Sequence, residues 1–312
     1  MNPLTHFKKA KILRTIFLSL GAIFALVTAA HAQNLYVSAH RPQSDGGHAI
    51  LEFTPSGTQS TYASGLLFPR GLAFDSIGNL FAAETVAPGF RDLLIGRALK
   101  FNVRNHVSTV GSATNFFFEG LAVDIAGNAY VMANDLTSST GASTIFKFTP
   151  DGERIVFGSV PSQGWGLAFD SAGNLYAAEG GAGLTGDRTI FKFAPNGTRT
   201  VFAGPDAFPE GVFPIGLAFD SSGHLFVSTE CFCDPGSDTI LKFTNGVPST
   251  FATGLTFPRG LAFDSSGNLF VAETGVPEIP GGDIKKFAPD GTWTPFASGF
   301  GRPEFLTFGP PR

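Results

Sequence analysis

The side chains best spaced for joint chemistry in this 312-residue sequence form a series of six. Arg70, Glu119, Trp165, Ile215, Arg259 and Glu304 recur every 44 to 50 residues, each just ahead of a short apolar segment. Set around one axis, Arg259, Glu304, Arg70 and Glu119 alternate in sign, and Trp165 with Ile215 closes the circle as an apolar arc. One reading is a half-ionic, half-apolar mouth for a small amphipathic ligand carrying a carboxylate or sugar hydroxyls. The other is that the four charges only neutralise one another. The catalytic version of the first reading uses Glu119, Glu304 or His40 as acid or base. His40 shares its segment with Arg41 and His48.

Other candidates read more simply. Glu84, Glu179, Glu230 and Glu273 recur with Asn134 at one repeat position, which suits a repeated acceptor for backbone N–H groups of the following loop and not a catalytic group. Asp75, Asp124, Asp170, Asp220 and Asp264 stand in Asp-Ser-Gly-Asn-like turns and lack the ligand series of a calcium loop. Cys231 and Cys233, the two cysteines present, bracket one residue and form either a short disulfide or a pair of thiols. His224 is the histidine nearest to them and belongs to a turn, so a zinc cluster has little support. Asn196-Gly197-Thr198 matches a glycosylation acceptor but coincides with a tight turn. No Ser/His/Asp nucleophile motif or phosphate-binding glycine loop is present.

The elements that position these residues are repeats. GLAFDSIGNLFAAE from Gly71 returns with small changes from Gly120, Gly166, Gly216 and Gly260, and FLTFG from Phe305 begins a sixth copy. The period of about 47 residues suits a four-stranded propeller blade. Each period holds four strand-like pieces, a to d: GLAF, NLFVAE, a segment such as TIFKF, and one such as TRTVFA. Short Asp, Asn, Ser and Gly runs join a to b and c to d. Strand a, small and Gly-rich, suits the crowded position nearest the axis. The sixth copy stops after strand a, and NLYVSA, AILEFT and STYAS near the N-terminus supply its other three strands. The sequence therefore predicts an all-β, six-bladed propeller over residues 33–312, closed by its own N-terminal strands. The a–b and c–d turns fall on one face. The variable connections 40–48, 85–97, 134–143, 180–188, 231–238 and 274–283 fall on the other, where a binding site is expected.

The first 32 residues read as an export signal: Lys8, Lys9, Lys11 and Arg14, an apolar run, then Ala30-His31-Ala32. The run is shorter than the roughly 20 residues of a membrane span, an uncleaved anchor being the alternative. Cleavage before Gln33 leaves 17 basic against 25 acidic side chains, a net charge of -8. That disfavours nucleic acid and anionic membrane surfaces as partners. A secreted or periplasmic monomer, free of the membrane after cleavage, is expected.

These repeats resemble the NHL-repeat propellers and the broader group containing the senescence marker protein and gluconolactonases, over essentially all of residues 34–312. The resemblance implies the fold and leaves the activity open, since the group includes lactonases, a streptogramin lyase and binding modules. In its metal-dependent lactonases, carboxylate and Asn side chains on the rim hold a divalent cation. Here Glu119 and Glu304 alone match that chemistry, with Arg70 and Arg259 between them, so Ca2+ or a similar ion is disfavoured and no cofactor is expected. The lyase depends on magnesium and on a His close in sequence to a strand-end Glu, and no strand-end Glu here is followed by one. The reading that results is a binding module taking a small molecule or protein on its loop face. A lactonase-type hydrolase at the channel mouth and a streptogramin-lyase-like enzyme are the alternatives.

Overall fold

The computed structural model describes residues 33–311 apart from 42–46, 88–92, 182–187, 232–235 and 276–281. The expected export signal lies outside the described residues. Six four-stranded antiparallel sheets follow one another around a central channel as a six-bladed propeller. In blade one the strands are Pro69–Phe74, Leu80–Val86, Ile95–Phe101 and Val107–Thr114, from the channel outwards. Blade six joins the two ends of the chain, Arg302–Phe308 lying innermost beside Leu35–His40, Ala49–Phe53 and Gln59–Ser64.

The local rules of the repeat are visible atom by atom. In each complete a–b turn the Asp carboxylate accepts two backbone N–H groups and one side-chain donor, as Asp75 does from Ile77, Asn79 and the Asn79 side chain. The turn closes with Asp75 N–H donating to Asn79 O at 3.0 Å. Blade six lacks a covalent a–b turn, yet Gly309 N–H donates to Asn34 O at 2.9 Å in the same place. The Gln33 side chain also donates to Gly309 O. The strand-c lysine that reaches the turn Asp in most blades, such as Lys192 beside Asp170, becomes Glu52 at this seam. Glu52 accepts hydrogen bonds from Asn34 and Tyr36. The missing carboxylate of the turn is thus supplied from the neighbouring strand.

Six apolar clusters hold the ring, one in each interface between adjacent blades. Each blade ends strand c with a buried phenylalanine: Phe53, Phe101, Phe148, Phe193, Phe243 and Phe287. Truncating a side chain of this size in a core costs about 3–5 kcal/mol. Next to the channel the constraint is backbone against backbone. A Cβ on Gly71 would lie 2.2 Å from Leu121 N, one on Gly120 2.3 Å from Trp165 O, and one on Gly216 1.8 Å from Arg259 O. In the blades that carry these glycines, strand a therefore packs on the next only because the position has no side chain.

Gly216→Ala is expected to destabilise the protein by about 1–3 kcal/mol, because neither neighbour can yield without moving a ring strand. Ile125→Ser, at a residue 98% exposed in an a–b turn, serves as the control and is expected to stay within about 0.5 kcal/mol. Equal urea midpoints for the two variants would show that the inner strands are not in close contact.

Candidate functional site

Strand a bulges in every blade, and the bulge is what aims the six rim residues. In blade one Pro69 pairs with Glu84 and Leu72 with Ala82, so Arg70 and Gly71 together face Ala83 alone. The same two-against-one arrangement takes in Glu119-Gly120, Trp165-Gly166, Ile215-Gly216, Arg259-Gly260 and Glu304-Phe305. A bulge bends the strand and re-aims the side chain it carries. Ser38 and Ser228, opposite two of the bulges, each accept a bulge N–H and donate to a carbonyl of strand a, within blade six or in blade five.

Four of the six rim residues meet as one ionic chain. Arg70 Nη1 and Arg259 Nη1 both donate to Glu304 Oε2 at 2.5 Å, and Arg259 Nε donates to Glu230 Oε1 at 2.8 Å. Arg70 Nε stands 3.6 Å from Glu119 Oε2, too far for a hydrogen bond. The guanidinium of Arg259 lies 5.3 Å from the Trp165 ring centroid and that of Arg70 5.4 Å from Phe117. The reading of mutual neutralisation thus holds for Arg259, Glu304 and Arg70, and Glu119 is left at the end of the chain. Ile215 is fully buried under the rim. Trp165 is the apolar residue that reaches the mouth, with its indole N–H on Gly180 O.

The electrostatics separate the carboxylates by role. Burial pushes the Glu304 carboxyl up, but Arg259 and Arg70 together outweigh it and hold it down to about 2. Glu119, equally buried, is pushed above the usual carboxylate range because desolvation exceeds the help of Arg70 and Arg259. Glu230 is shifted the same way by burial. His40 reaches the network from blade six, with Nδ1 3.4 Å from Glu304 Oε1 and Nε2 3.2 Å from Pro69 O. Burial lowers it to about 4, so it is neutral near pH 7.

The strand-b acceptors are structural, with one correction and one exception. Glu84, Glu179 and Glu273 accept N–H groups from Leu67, Ser162 and Thr256 at 2.7 Å. These donors belong to the connection that enters the blade, and not to the following loop. Glu230 departs from the pattern by turning to Arg259, and so joins the site. Its part was not legible in a sequence where four glutamates look alike. Cys231 is buried at a strand end and disulfide-bonded, while Cys233 lies outside the described residues.

A cavity of about 610 Å³ opens on the loop face beside this network. Its walls include Arg70, Glu119, Trp165, Arg259, Phe117 and Glu179, together with Asn134, Asp135, Thr140 and Gln163. Glu304 and His40 are not on its lining. Deeper in the channel, Leu72, Leu121, Leu167, Leu217, Leu261 and Leu306 are among the residues that line a space of about 210 Å³. A divalent cation at the rim does not fit these residues, because one Glu304 oxygen is engaged by two guanidiniums and fixed positive charge stands where a cation would sit. Among the described residues, no group of three or more His, Cys, Asp or Glu side chains is placed to hold a metal ion.

No family model and no curated protein matches this chain. Solved structures do. A gluconolactonase from Xanthomonas campestris is 16% identical with a TM-score of 0.55, over 78% of this chain and 86% of its own. An inactive virginiamycin B lyase variant from Staphylococcus aureus, solved with quinupristin, is 13% identical with a TM-score of 0.50, over 86% and 85%. The calcium-binding protein regucalcin from Agrobacterium tumefaciens is 14% identical with a TM-score of 0.52, over 79% of each. At these identities the likeness shows a shared propeller fold.

Two titrations should mark the network. A carboxylate depressed in the folded state stabilises above its unfolded pKa and stops doing so as pH falls through the folded value, so Glu304 should cost stability between about pH 4.5 and 2. His40, neutral when folded, should cost stability as pH falls from 6.5 to about 4, and this upper part should vanish in His40→Asn. Glu304→Gln, which leaves two buried guanidiniums without their shared partner, is expected to lose about 3–5 kcal/mol in urea unfolding at pH 7. A loss under about 1 kcal/mol would show that the network is not a structural element.

Proposed function

We propose that this protein is an exported binding propeller that takes a small organic ligand in the loop-face cavity beside its channel mouth. The observation that supports this most is how the candidate catalytic groups are used. Glu304 is committed to two arginines, and His40 holds the Pro69 carbonyl and a ring stack with His48 and Phe68. Neither is free to move protons for a substrate. What remains open is a cavity of about 610 Å³, within the usual range for small-molecule sites, with aromatic walls and a few converging polar groups. Among the described residues, no helix is long and apolar enough to cross a membrane.

One observation favours a second reading, a hydrolase of lactones. Glu119 lines the cavity, is fully enclosed and keeps its proton above the usual carboxylate range, as a general acid must. The lyase reading has less support, since no histidine of the described residues lines that cavity.

Titration with the fluorescent probe anilinonaphthalene sulfonate should give saturable single-site binding that EDTA leaves unchanged. Thr140→Trp, at an exposed residue of the cavity wall, should lose at least tenfold in affinity. Hydrolysis of glucono-lactone above the buffer rate, abolished by Glu119→Gln, would replace the binding reading with the hydrolase.

A further inference from the structure

The chemical class of the ligand follows from the donors that the ionic chain leaves unused, an inference that rests on the binding reading of the same cavity. Arg70 and Arg259 each line the cavity. Both Nη1 atoms meet at one oxygen of Glu304, which makes the two guanidiniums neighbours, and Arg259 is held at a second point by Glu230. Arg259 Nε is spent on Glu230 and Arg70 Nε is enclosed against Glu119. The Nη2 of each arginine has no acceptor among the described residues and is not enclosed. Each arginine therefore keeps one accessible cationic donor without an acceptor among the described residues, on a side chain that lines the cavity.

The walls restrict what those donors can take. Glu119, Glu179 and Asp135 share the lining, so a dianion would meet carboxyl groups in the same cavity. A single planar carboxylate can accept one Nη2 donor from each arginine, an oxygen to each, and adds the least negative charge. Around it stand Trp165, Phe117, Leu136 and Pro161, an apolar surface suited to a flat ring body. The arginines already stack on Trp165 and Phe117, so an aromatic body bound there would extend an existing aromatic and cationic layer.

We infer that the cavity binds an aromatic monocarboxylic acid, its carboxylate clasped by Nη2 of Arg70 and of Arg259 and its ring lying along Trp165 and Phe117. Glu119 tunes the site from behind. It faces Arg70, Arg259, Glu304 and Glu230, and as long as it stays protonated it adds no charge against the ligand. Ionisation of Glu119 at high pH would weaken binding.

The test compares 2-naphthoate, 2-naphthamide and naphthyl phosphate by isothermal titration calorimetry on the whole mature protein at pH 7. The acid is expected to bind at least tenfold more tightly than the isosteric amide and more tightly than the phosphate. Arg70→Lys, which keeps the charge and removes the Nη2 donor, is expected to lose tenfold or more for the acid and little for the amide. Should that variant fail to fold, judged by circular dichroism, the acid-to-amide ratio on the unmodified protein still decides. An amide that binds as well as the acid, a phosphate that binds better, or a series in which none binds overturns the inference. Probe or amide binding lost in Thr140→Trp without any preference for the acid would leave the binding propeller standing and remove only its ligand class. Absence of all binding, including that of anilinonaphthalene sulfonate, would remove both.

Discussion

Everything at the mouth of this propeller depends on how closely six inner strands approach one another. With Gly71, Gly120, Gly166, Gly216 and Gly260 at the closest points, backbone meets backbone and no side chain fits between. A regular strand at that radius would send successive residues alternately to the two adjoining blade interfaces. The bulge that pairs each close-contact residue with the one before it breaks this alternation. It turns the preceding residue toward the mouth and lets the following leucine line the channel. This steric requirement at five glycines, with the bulge repeated in all six blades, thus generates both an ionic rim and a channel wall of leucines. The seam blade meets it with Phe305 in the glycine position, and Ser38 across the bulge receives the Phe305 N–H.

Concentrating charge at such a rim is costly unless each charge has a partner, since burial penalises ions by several kcal/mol. Arg259 and Arg70 answer this by sharing Glu304, and Arg259 adds Glu230. The same low-dielectric setting sorts carboxylates that are chemically alike. Glu304, hydrogen-bonded by two guanidiniums, is held ionised, whereas Glu119, which neither guanidinium hydrogen-bonds, is pushed toward its neutral form by burial. The site is therefore rigid and its protonation states are set by geometry. That combination suits recognition by preorganised donors more readily than it suits a residue that must exchange protons in each turnover.

The departures from the repeat show where local rules stop. Asp75 and its equivalents do in the fold what their turn sequence prescribes, because an Asx turn needs only four or five consecutive residues. Glu84, Glu179 and Glu273 were legible as acceptors but not by donor, since the N–H they receive lies 17 residues earlier in the chain. Glu230 looks identical in sequence and differs because an arginine from the next blade lies within its reach. Ile215 takes the rim position in the repeat yet is covered by the packing of blades three and four, so half of the expected apolar arc is interior.

Sequence alone determined the number of blades, the strands within each, the turn chemistry and the closure of the ring by the N-terminal strands. These follow from a periodic pattern whose every element is satisfied by its own blade and its immediate neighbours. It also placed six residues at equivalent bulge positions, of which Ile215 is interior. Only the tertiary structure decided which of those residues bond to one another, which carboxyl keeps its proton and where the rim opens into a cavity. Those properties depend on distances of a few ångströms between side chains from different blades and on how much water the packing excludes, and neither quantity is written in the period of the repeat.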